Sequence, residues 1–392
     1  MTETFDSWLS SRTHHKKEIG LHRKLNVMNT RPNPHVIVNG KKELIFSSNN
    51  YLGLASDQRL INAASTVLNE FGVGSSGSRL MTGNSIWHKK LEEKIASFKE
   101  TESSLLFSSG YLANIGALSS LPEKGDVILS DELNHASIID GCRLSKAKTV
   151  IYKHVDMDDL EKRLKETLPY KRRFIITEGV FSMDGNLAPL DKIMSLASAY
   201  HSYVMVDDAH GTGILGENGK GTANHFGVKP DLLIGTLSKS VGTEGGFIAG
   251  SNILKDFLLN HARTFIFQTA IPPTVCAASL AAIEIIENDD SVRKEVKRKA
   301  NLLSNKLQEL GYVVKGGETP IIPVIIGGAN ETVSFANKLQ ENHIFAPAIR
   351  PPTVKDGESR IRLTVTAEHS NDDINTILKV FARLRSEVEG II

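Results

Sequence analysis

The chain has 392 residues, of which 40% are hydrophobic and 23% are charged. Lys and Arg number 46 against 45 Asp and Glu, so the formal net charge of +1 excludes a general electrostatic attraction to nucleic acid or to an anionic membrane. A globular chain of this length and composition can bury a large core and is more typical of two domains than of one.

The chain begins with a polar stretch that lacks a basic region followed by an apolar one, and no later apolar run reaches the length of a transmembrane helix. The two cysteines, Cys142 and Cys276, have no metal-ligand spacing and are too few for a disulfide framework. We therefore expect a soluble, cytoplasmic protein without a metal site.

Short runs rich in β-branched residues alternate with helical stretches between residues 46 and 285. The runs are DVILSD from 126, TVIYKHV from 149, RFIIT from 173, SYVMVDD from 202, DLLIGT from 231 and GFIAG from 246. This alternation predicts an α/β fold in which a mostly parallel sheet is flanked by helices. Residues 1–45 form a separate N-terminal segment in this prediction.

After about residue 285 the pattern changes. A long charged helical stretch, SVRKEVKRKANLLSNKLQEL, is followed by the short strand-like runs YVVK, IIPVIIG and RIRLTVT and by helical stretches from about 331 and 371. Residues 286–392 are therefore predicted to form a smaller C-terminal α/β domain.

Two loops in the first half of the large domain carry candidate ligand-binding residues. In SLLFSSGYLAN, Ser109 and Gly110 separate a strand-like run from a helical stretch, where a helix N-terminus can bind a phosphate dianion, although such a loop alone is also a common helix start. His135, in NHAS after DVILSD, can stack on a planar cofactor ring and also approach a substrate carboxylate, although alone it is more simply a solvated loop histidine.

Two further residues stand where later strands end, and ligands bind at the carboxyl ends of parallel strands. Asp207 ends SYVMVDD, where a half-buried carboxylate can pair with a protonated pyridine nitrogen. Lys239, in GTLSKSVG, has an amine that can form a Schiff base with an aldehyde and act as a base once displaced. Taken singly, Asp207 is more simply a helix cap or a salt-bridge partner, and Lys239 is more simply a surface lysine.

Together NHAS, TEGVFSMDG, VDDAHGTG and GTLSKSVG, in this order and each at the end of a strand-like run, resemble the α-oxoamine synthase family of fold-type I enzymes. These enzymes depend on pyridoxal 5′-phosphate (PLP), and the resemblance covers nearly the whole chain. It implies a fold-type I PLP-dependent transferase, a homodimer with shared active sites, and the joining of an amino acid to an acyl thioester with loss of carbon dioxide.

The resemblance also implies roles for individual residues. Lys239 holds the cofactor and acts as a base, Asp207 pairs with the pyridine nitrogen, and His135 stacks over the ring. The other implied contacts are Ser109, Gly110, Tyr111 and Thr236 with the phosphate, Thr269 with the phosphate from the neighbouring subunit, Ser182 and His210 with the ring oxygen, and Asn49 and Arg362 with the substrate. A planar guanidinium such as that of Arg362 can bind the amino-acid carboxylate through two hydrogen bonds.

Two segments favour L-alanine and a pimeloyl thioester as substrates, carried on coenzyme A (CoA) or on acyl-carrier protein, in biotin biosynthesis. Arg23 in GLHRKL resembles an arginine that such members use toward the acyl group, and AIRPPTV, with Thr353, resembles their substrate loop. The stretch LNHASIIDGCRLSKA is equally similar to members that condense glycine with acetyl-CoA, so that alternative stays open.

An alternative of another class is a non-catalytic nucleotide-binding or PLP-binding protein. GVGSSG, from Gly72, has the G-x-G-x-x-G spacing, but it follows a helical stretch instead of a strand. GENGKGT does not match a P-loop, because Gly221 stands where Ser or Thr is required. The basic clusters RTHHKK and KRKAN lack interleaved aromatic residues, so we expect no nucleic-acid partner.

Overall fold

The computed structural model describes residues 3–18, 22–23 and 25–388. Its helices are α1 (Phe5–Glu18), α2 (Gln58–Phe71), α3 (Ile86–Phe98), α4 (Gly110–Ser120), α5 (Ala136–Leu144), α6 (Met157–Glu166), α7 (Leu190–Ala199), α8 (Thr222–His225), α9 (Asn252–His261), α10 (Arg263–Ile266), α11 (Pro273–Asn288), α12 (Ser291–Glu309), α13 (Ala329–Glu341) and α14 (Asn371–Val388). Its strands are β1 (His35–Val38), β2 (Lys41–Ile45), β3 (Ser103–Phe107), β4 (Val127–Asp131), β5 (Lys148–Tyr152), β6 (Arg173–Glu178), β7 (Tyr203–Asp207), β8 (Leu232–Thr236), β9 (Gly246–Gly250), β10 (Val313–Val314), β11 (Ile321–Gly327), β12 (Ile344–Phe345), β13 (Ala348–Ile349) and β14 (Ser359–Thr364).

The central sheet has seven strands in the order β3-β9-β8-β7-β6-β4-β5. Strands β4 to β8 pair in parallel, whereas β9 is antiparallel to both of its neighbours and alone runs in the opposite direction. The six runs predicted from the sequence are β4 to β9. The prediction of an α/β fold with a mostly parallel sheet is confirmed.

Helices cover both faces of this sheet. Strands β4, β6 and β8 are buried at every residue, which explains the consecutive apolar residues VIL, FII and LLI in their sequences. Residues of α2, α3, α6, α7 and α11 form the apolar cluster on one face, and residues of α4, α5, α9 and α10 form the cluster on the other. With both faces covered by helices, a ligand is expected at the strand ends and in the loops that follow them.

The C-terminal part contains a second sheet, with the order β10-β11-β14-β13 and antiparallel pairing throughout. A third sheet joins the two ends of the chain, because the hairpin of β1 and β2 pairs with β12. Leu44 and Phe46 accordingly pack in the same apolar cluster as Leu303 and Phe381. Part of the N-terminal segment thus lies against the C-terminal part, and the domain boundaries 1–45, 46–285 and 286–392 stay predictions.

None of the helices in the described ranges combines the length and the apolar character that crossing a bilayer requires.

A buried ion pair fixes the loop that follows β7. Lys99 Nζ lies 2.7 Å from Asp208 Oδ2, and the two side chains are 0% and 1% exposed. The ammonium also donates to the carbonyl of Lys220 at 2.7 Å. Asp208 Oδ1 accepts from the amide of Thr222 at 3.0 Å and from its hydroxyl at 2.6 Å. Because Asp208 directly follows Asp207, this network holds the carboxyl end of β7 in place.

We expect Lys99→Met to lower the free energy of unfolding by about 3–5 kcal/mol, because it leaves the Asp208 carboxylate buried without its counter-charge. Urea denaturation followed by tryptophan fluorescence measures this change. The matched control is Lys165→Met, whose ion pair with Glu161 is exposed, at 58% and 39%, and which should leave the unfolding midpoint nearly unchanged. Equal stability of the two variants would contradict a stabilising role for the buried pair.

Candidate active site

The carboxyl ends of β7 and β8 bring together the carboxylate and the amine that the sequence predicts. Asp207 is the last residue of β7 and is buried, and Lys239 lies three residues beyond β8 and is half-buried. Desolvation lowers the pKa of the Lys239 amine to about 8, while the negative charges of Asp207 and Glu178 act in the opposite direction. A large fraction of this amine is therefore unprotonated at mildly basic pH.

Two donors fix the orientation of the Asp207 carboxylate. Asn114 Nδ2 lies 2.6 Å from Oδ2, and the backbone amide of Ala209 lies 2.9 Å from Oδ1. Asn114, on α4, is 1% exposed. Sequence reasoning missed this residue, although a polar side chain in the otherwise apolar middle of GYLANIGALSS was a usable signal.

His135 caps the N-terminus of α5 at the edge of the cleft. Its Nδ1 accepts from the amide of Ser137 at 3.2 Å and lies 2.8 Å from the hydroxyl of the same residue. The ring of Tyr111 meets the His135 ring edge-on, with centroids 6.4 Å apart. Desolvation lowers the pKa of His135, and the Asp207 carboxylate acts in the opposite direction.

His210 lies on the loop after β7 and is buried. Its Nδ1 is 2.7 Å from the hydroxyl of Tyr51, a fully buried residue that sequence reasoning missed. Burial lowers the pKa of His210 well below its ordinary value, and the positive charges of Lys239 and Arg362 act in the same direction. The imidazole is therefore neutral at physiological pH.

Arg362, on β14, comes from the C-terminal part of the chain and contacts Ser182 and Asn49 at this site. It donates through Nε to the backbone carbonyl of Ser182 and through Nη2, at 3.3 Å, to Asn49 Oδ1. Arg362, Ser182 and Asn49, which the sequence predicts to contact the substrate or the cofactor, therefore lie next to one another.

Glu178, the last residue of β6, is a second carboxylate that sequence reasoning missed, although it lies within TEGVFSMDG. It is the register partner of Asp207 and is 3% exposed. Burial raises its pKa to about 8, and the Asp207 charge acts in the same direction. Oε2 accepts from the amide of Ser182 at 3.3 Å, whereas Oε1 has no hydrogen-bond partner among the described residues.

The start of α4 lies against the ends of β8 and β9. Ser109 is the N-cap of α4, and a Cβ added at Gly110 would lie 3.2 Å from Thr236 Cβ. A Cβ added at Gly246 would lie 2.4 Å from the Gly110 amide nitrogen, so only glycine allows this approach. The Thr236 hydroxyl, 2.8 Å from that of Ser238, faces the same loop. The helix N-terminus and these hydroxyls suit a phosphate group.

Thr269 and Tyr111 lie near this loop within one chain. The carbonyl of Thr269 accepts from the Ser108 hydroxyl at 3.2 Å, and Thr269 is exposed. Its contact with the phosphate of a neighbouring subunit stays a prediction. The Tyr111 hydroxyl donates to Asp140, so the side chain of Tyr111 is held beside the loop.

Two grooves that share Pro352 and Thr353 in their linings lie beside the site. One, of about 740 Å³, is lined by residues that include His135, Ser182 and Thr353. The other, of about 1210 Å³, is lined by Arg23, by residues of α1 and again by Thr353. The structure therefore places Arg23 and Thr353 in the lining of one groove, and Thr353 and His135 in the lining of the other.

These residues fit PLP. Lys239 offers an amine to the aldehyde, Asp207 a carboxylate to the ring nitrogen, and the start of α4 a set of donors to the phosphate. Asn114 Oδ1 and Glu178 Oε1, both beside Asp207, are buried without a hydrogen-bond partner in the described part of the chain and can accept one from a ligand. The fold and the site together define a fold-type I PLP-dependent enzyme.

Comparisons with known proteins agree with this class. The model of the family "Aminotransferase class I and II" matches residues 41–381. The chain is 62% identical to 8-amino-7-oxononanoate synthase 2 of Bacillus subtilis (strain 168), over 98% of this chain and 99% of that protein. The solved structure of Sphingomonas wittichii serine palmitoyltransferase has a TM-score of 0.92 at 32% identity and covers 99% of this chain and 98% of its own. Serine palmitoyltransferase from S. paucimobilis, with a bound PLP–myriocin compound, has a TM-score of 0.92 at 30% identity and covers 98% of both chains.

The chain belongs to the aminotransferase class I and II family, among the 8-amino-7-oxononanoate synthases, and it is a PLP-dependent acyltransferase. The resemblance, the fold class, the cofactor and the enzyme class inferred from the sequence are confirmed. The nucleotide-binding alternative has no support, and Gly72 indeed caps the end of α2 instead of following a strand.

Proposed function

We propose that the protein condenses L-alanine with a pimeloyl thioester to give 8-amino-7-oxononanoate, the free thiol of the carrier and carbon dioxide, in biotin biosynthesis. The observation that carries this proposal is the Lys239 amine, whose pKa is lowered by burial beside Asp207, together with two grooves that share Thr353, one lined by His135 and the other by Arg23. The 62% identity to a protein named for this product supports the choice of product.

The side chains at the strand ends divide the chemistry between them. PLP, when bound, supplies an electron sink for the negative charge that develops at the α-carbon of the amino acid. Lys239 removes the α-proton and later returns one, because its amine is unprotonated for part of the time near pH 8. Asp207 holds the proton of the ring nitrogen, and Arg362 binds the carboxylate of L-alanine.

The remaining cofactor contacts position the ring. His135 would stack over it, and His210 with Ser182 would contact the ring oxygen. Because His210 is buried and neutral, it can exchange a hydrogen bond without adding a positive charge next to Lys239 and Arg362. The proposed phosphate contacts are Ser109, Gly110, Tyr111, Thr236 and, from a second subunit, Thr269, while Asn49 contacts the substrate beside Arg362.

The groove around Arg23 favours a dicarboxylic acyl chain. Its other basic side chains include Arg12, Lys16 and Arg350, and among the residues that the structure describes no Asp or Glu lines it. A pimeloyl group carries a carboxylate at its far end, which such a groove attracts, and the phosphates of CoA or of an acyl-carrier protein add further negative charge. An acetyl group has no such carboxylate, so this groove gives no reason to prefer glycine and acetyl-CoA.

A second copy of the chain is the proposed partner that completes the site. Loop residues 72–84 lie against residues 267–271, since Ser78 forms a β-bridge with Thr269. This region presents large apolar side chains to solvent, with Val73 at 83%, Met81 at 80% and Phe267 at 70% exposure. A homodimer would bury them next to Thr269. We place the enzyme in the cytoplasm, where the two buried free cysteines stay reduced.

The test combines the purified protein and PLP with L-alanine or glycine, each paired with pimeloyl-CoA, pimeloyl-acyl-carrier protein or acetyl-CoA, and measures thiol release. Release with L-alanine and a pimeloyl thioester, and formation of 8-amino-7-oxononanoate by mass spectrometry, is the expected result. Release confined to glycine with acetyl-CoA would make the protein a glycine acyltransferase instead. The two pimeloyl carriers, compared by kcat/KM, identify the natural thioester.

A further inference from the structure

Four side chains form a continuous hydrogen-bonded chain from Asp207 to His135. Asp207 Oδ2 accepts from Asn114 Nδ2 at 2.6 Å, and the same Nδ2 lies 3.0 Å from Ser137 Oγ. Ser137 Oγ lies in turn 2.8 Å from His135 Nδ1. Asn114 and Ser137 are each 1% exposed, so water does not compete for these bonds.

The chemistry of the groups fixes which atom donates at each link. A carboxylate only accepts, so Asn114 must turn its amide nitrogen toward Asp207, and the same nitrogen donates its second hydrogen to Ser137 Oγ. The hydroxyl hydrogen of Ser137 is then free to point at His135 Nδ1. The backbone amide of Ser137 donates to that same nitrogen at 3.2 Å.

His135 Nδ1 therefore faces two donors. An unprotonated Nδ1 accepts from both, whereas a protonated Nδ1 could donate to the Ser137 hydroxyl but would lose the bond from the backbone amide, which can only donate. The proton of the neutral ring consequently lies on Nε2.

We propose that Ser137 and Asn114 are positioning residues that hold His135 as the Nε2–H tautomer, so that it offers a neutral N–H donor to the carboxylate of the amino-acid substrate. A neutral donor adds no positive charge beside Lys239 and Arg362, two cations with which the surrounding histidines already interact. Because Asn114 shares its hydrogens between Asp207 and Ser137, the same residue sets the orientation of the carboxylate and of the imidazole. The assignment of the tautomer follows from the hydrogen bonds of His135 alone. The proposal that this tautomer binds the substrate carboxylate rests on the proposed function.

The first experiment reads the tautomer directly, with ring-¹⁵N-labelled histidine and NMR of the full-length protein, with and without PLP. The chain has 13 histidines, and the signal of His135 is identified by its loss in His135→Gln. We expect an unprotonated Nδ1 and a protonated Nε2 in the wild type. In Ser137→Ala we expect a shift toward a mixture of tautomers, because the shorter bond from the hydroxyl, at 2.8 Å, is lost and the amide at 3.2 Å is the one donor left of the two. A protonated Nδ1 in the wild type, or no change in Ser137→Ala, would overturn the proposal. The unchanged signals of the other histidines show that the variant is folded.

The second experiment separates positioning from a structural role through kinetics. Ser137→Ala should raise KM for L-alanine about tenfold, with kcat changed less than about threefold, because one hydrogen bond that orients a donor is lost. Ser137→Thr keeps the hydroxyl and should restore most of the loss. The matched control is Ser104→Ala, which removes a buried hydroxyl that donates to the Glu92 carbonyl at 2.7 Å, away from the site. If the wild type releases no thiol with any substrate pair, the proposed function fails, while the NMR result still decides the tautomer.

Discussion

Replacing Lys239 with alanine is expected to lower kcat for thiol release from a pimeloyl thioester by at least about 10³-fold. The variant loses the amine that binds the aldehyde of PLP and the base that removes the α-proton, and it loses both from one position at the end of β8. Borohydride reduction followed by intact-protein mass spectrometry should find one cofactor bound covalently to the wild type and none bound to the variant.

The matched control is Lys192→Ala, which removes an exposed lysine on α7 and should leave both the rate and the covalent labelling unchanged. If Lys239→Ala retained more than a tenth of the wild-type rate, another group would be the base. If it still bound the cofactor covalently, another amine would be the point of attachment.

The pKa of Lys239 sets the pH dependence of the same attachment. Only an unprotonated amine attacks an aldehyde, and burial lowers the pKa of this amine to about 8. The rate at which the apoprotein binds PLP should therefore fall about tenfold for each pH unit below 8 and level off above it. An ordinary lysine would level off only near about 10.4, and stopped-flow absorbance separates the two curves.

The sequence carries enough information to place the residues that follow strands directly. Asp207, Lys239 and Gly110 were predicted at the ends of short apolar runs, and the structure finds them at the end of β7, just beyond β8 and at the start of α4. Such positions depend on local pattern alone, since the carboxyl ends of parallel strands meet at one edge of a sheet.

The residues that sequence reasoning missed depend on contacts that are distant along the chain. Asn114, on α4, forms a hydrogen bond with Asp207, which lies 93 positions later in the chain. Tyr51 forms one with His210, 159 positions later. No hydrophobic periodicity in the sequence predicts a contact between residues so far apart in the chain. The pairing of β2 with the two-residue strand β12 was missed for the same reason, because a run of two residues is too short to show alternation.

Replacing Asp207 with alanine should lower kcat by about 10²–10³-fold while leaving the covalent attachment of PLP at Lys239 intact. Without the carboxylate, the ring nitrogen loses the negative partner that keeps it protonated, and the negative charge at the α-carbon is no longer stabilised. The measurements are the rate of thiol release and the cofactor content of the purified variant. Asp191→Ala, which removes an exposed carboxylate in the first turn of α7, is the matched control and should resemble the wild type.

A cofactor that carries a methyl group on the ring nitrogen separates electrostatics from structure at Asp207. Its ring is permanently positive, so it needs no carboxylate, and the alanine side chain leaves room for the methyl group. We expect this analogue to raise the rate of Asp207→Ala at least about tenfold, and to inhibit the wild type, in which Asn114 holds the Asp207 carboxylate in place at 2.6 Å. A variant that loses PLP and gains nothing from the analogue would show that Asp207 supports the fold of the site and does not act on the ring.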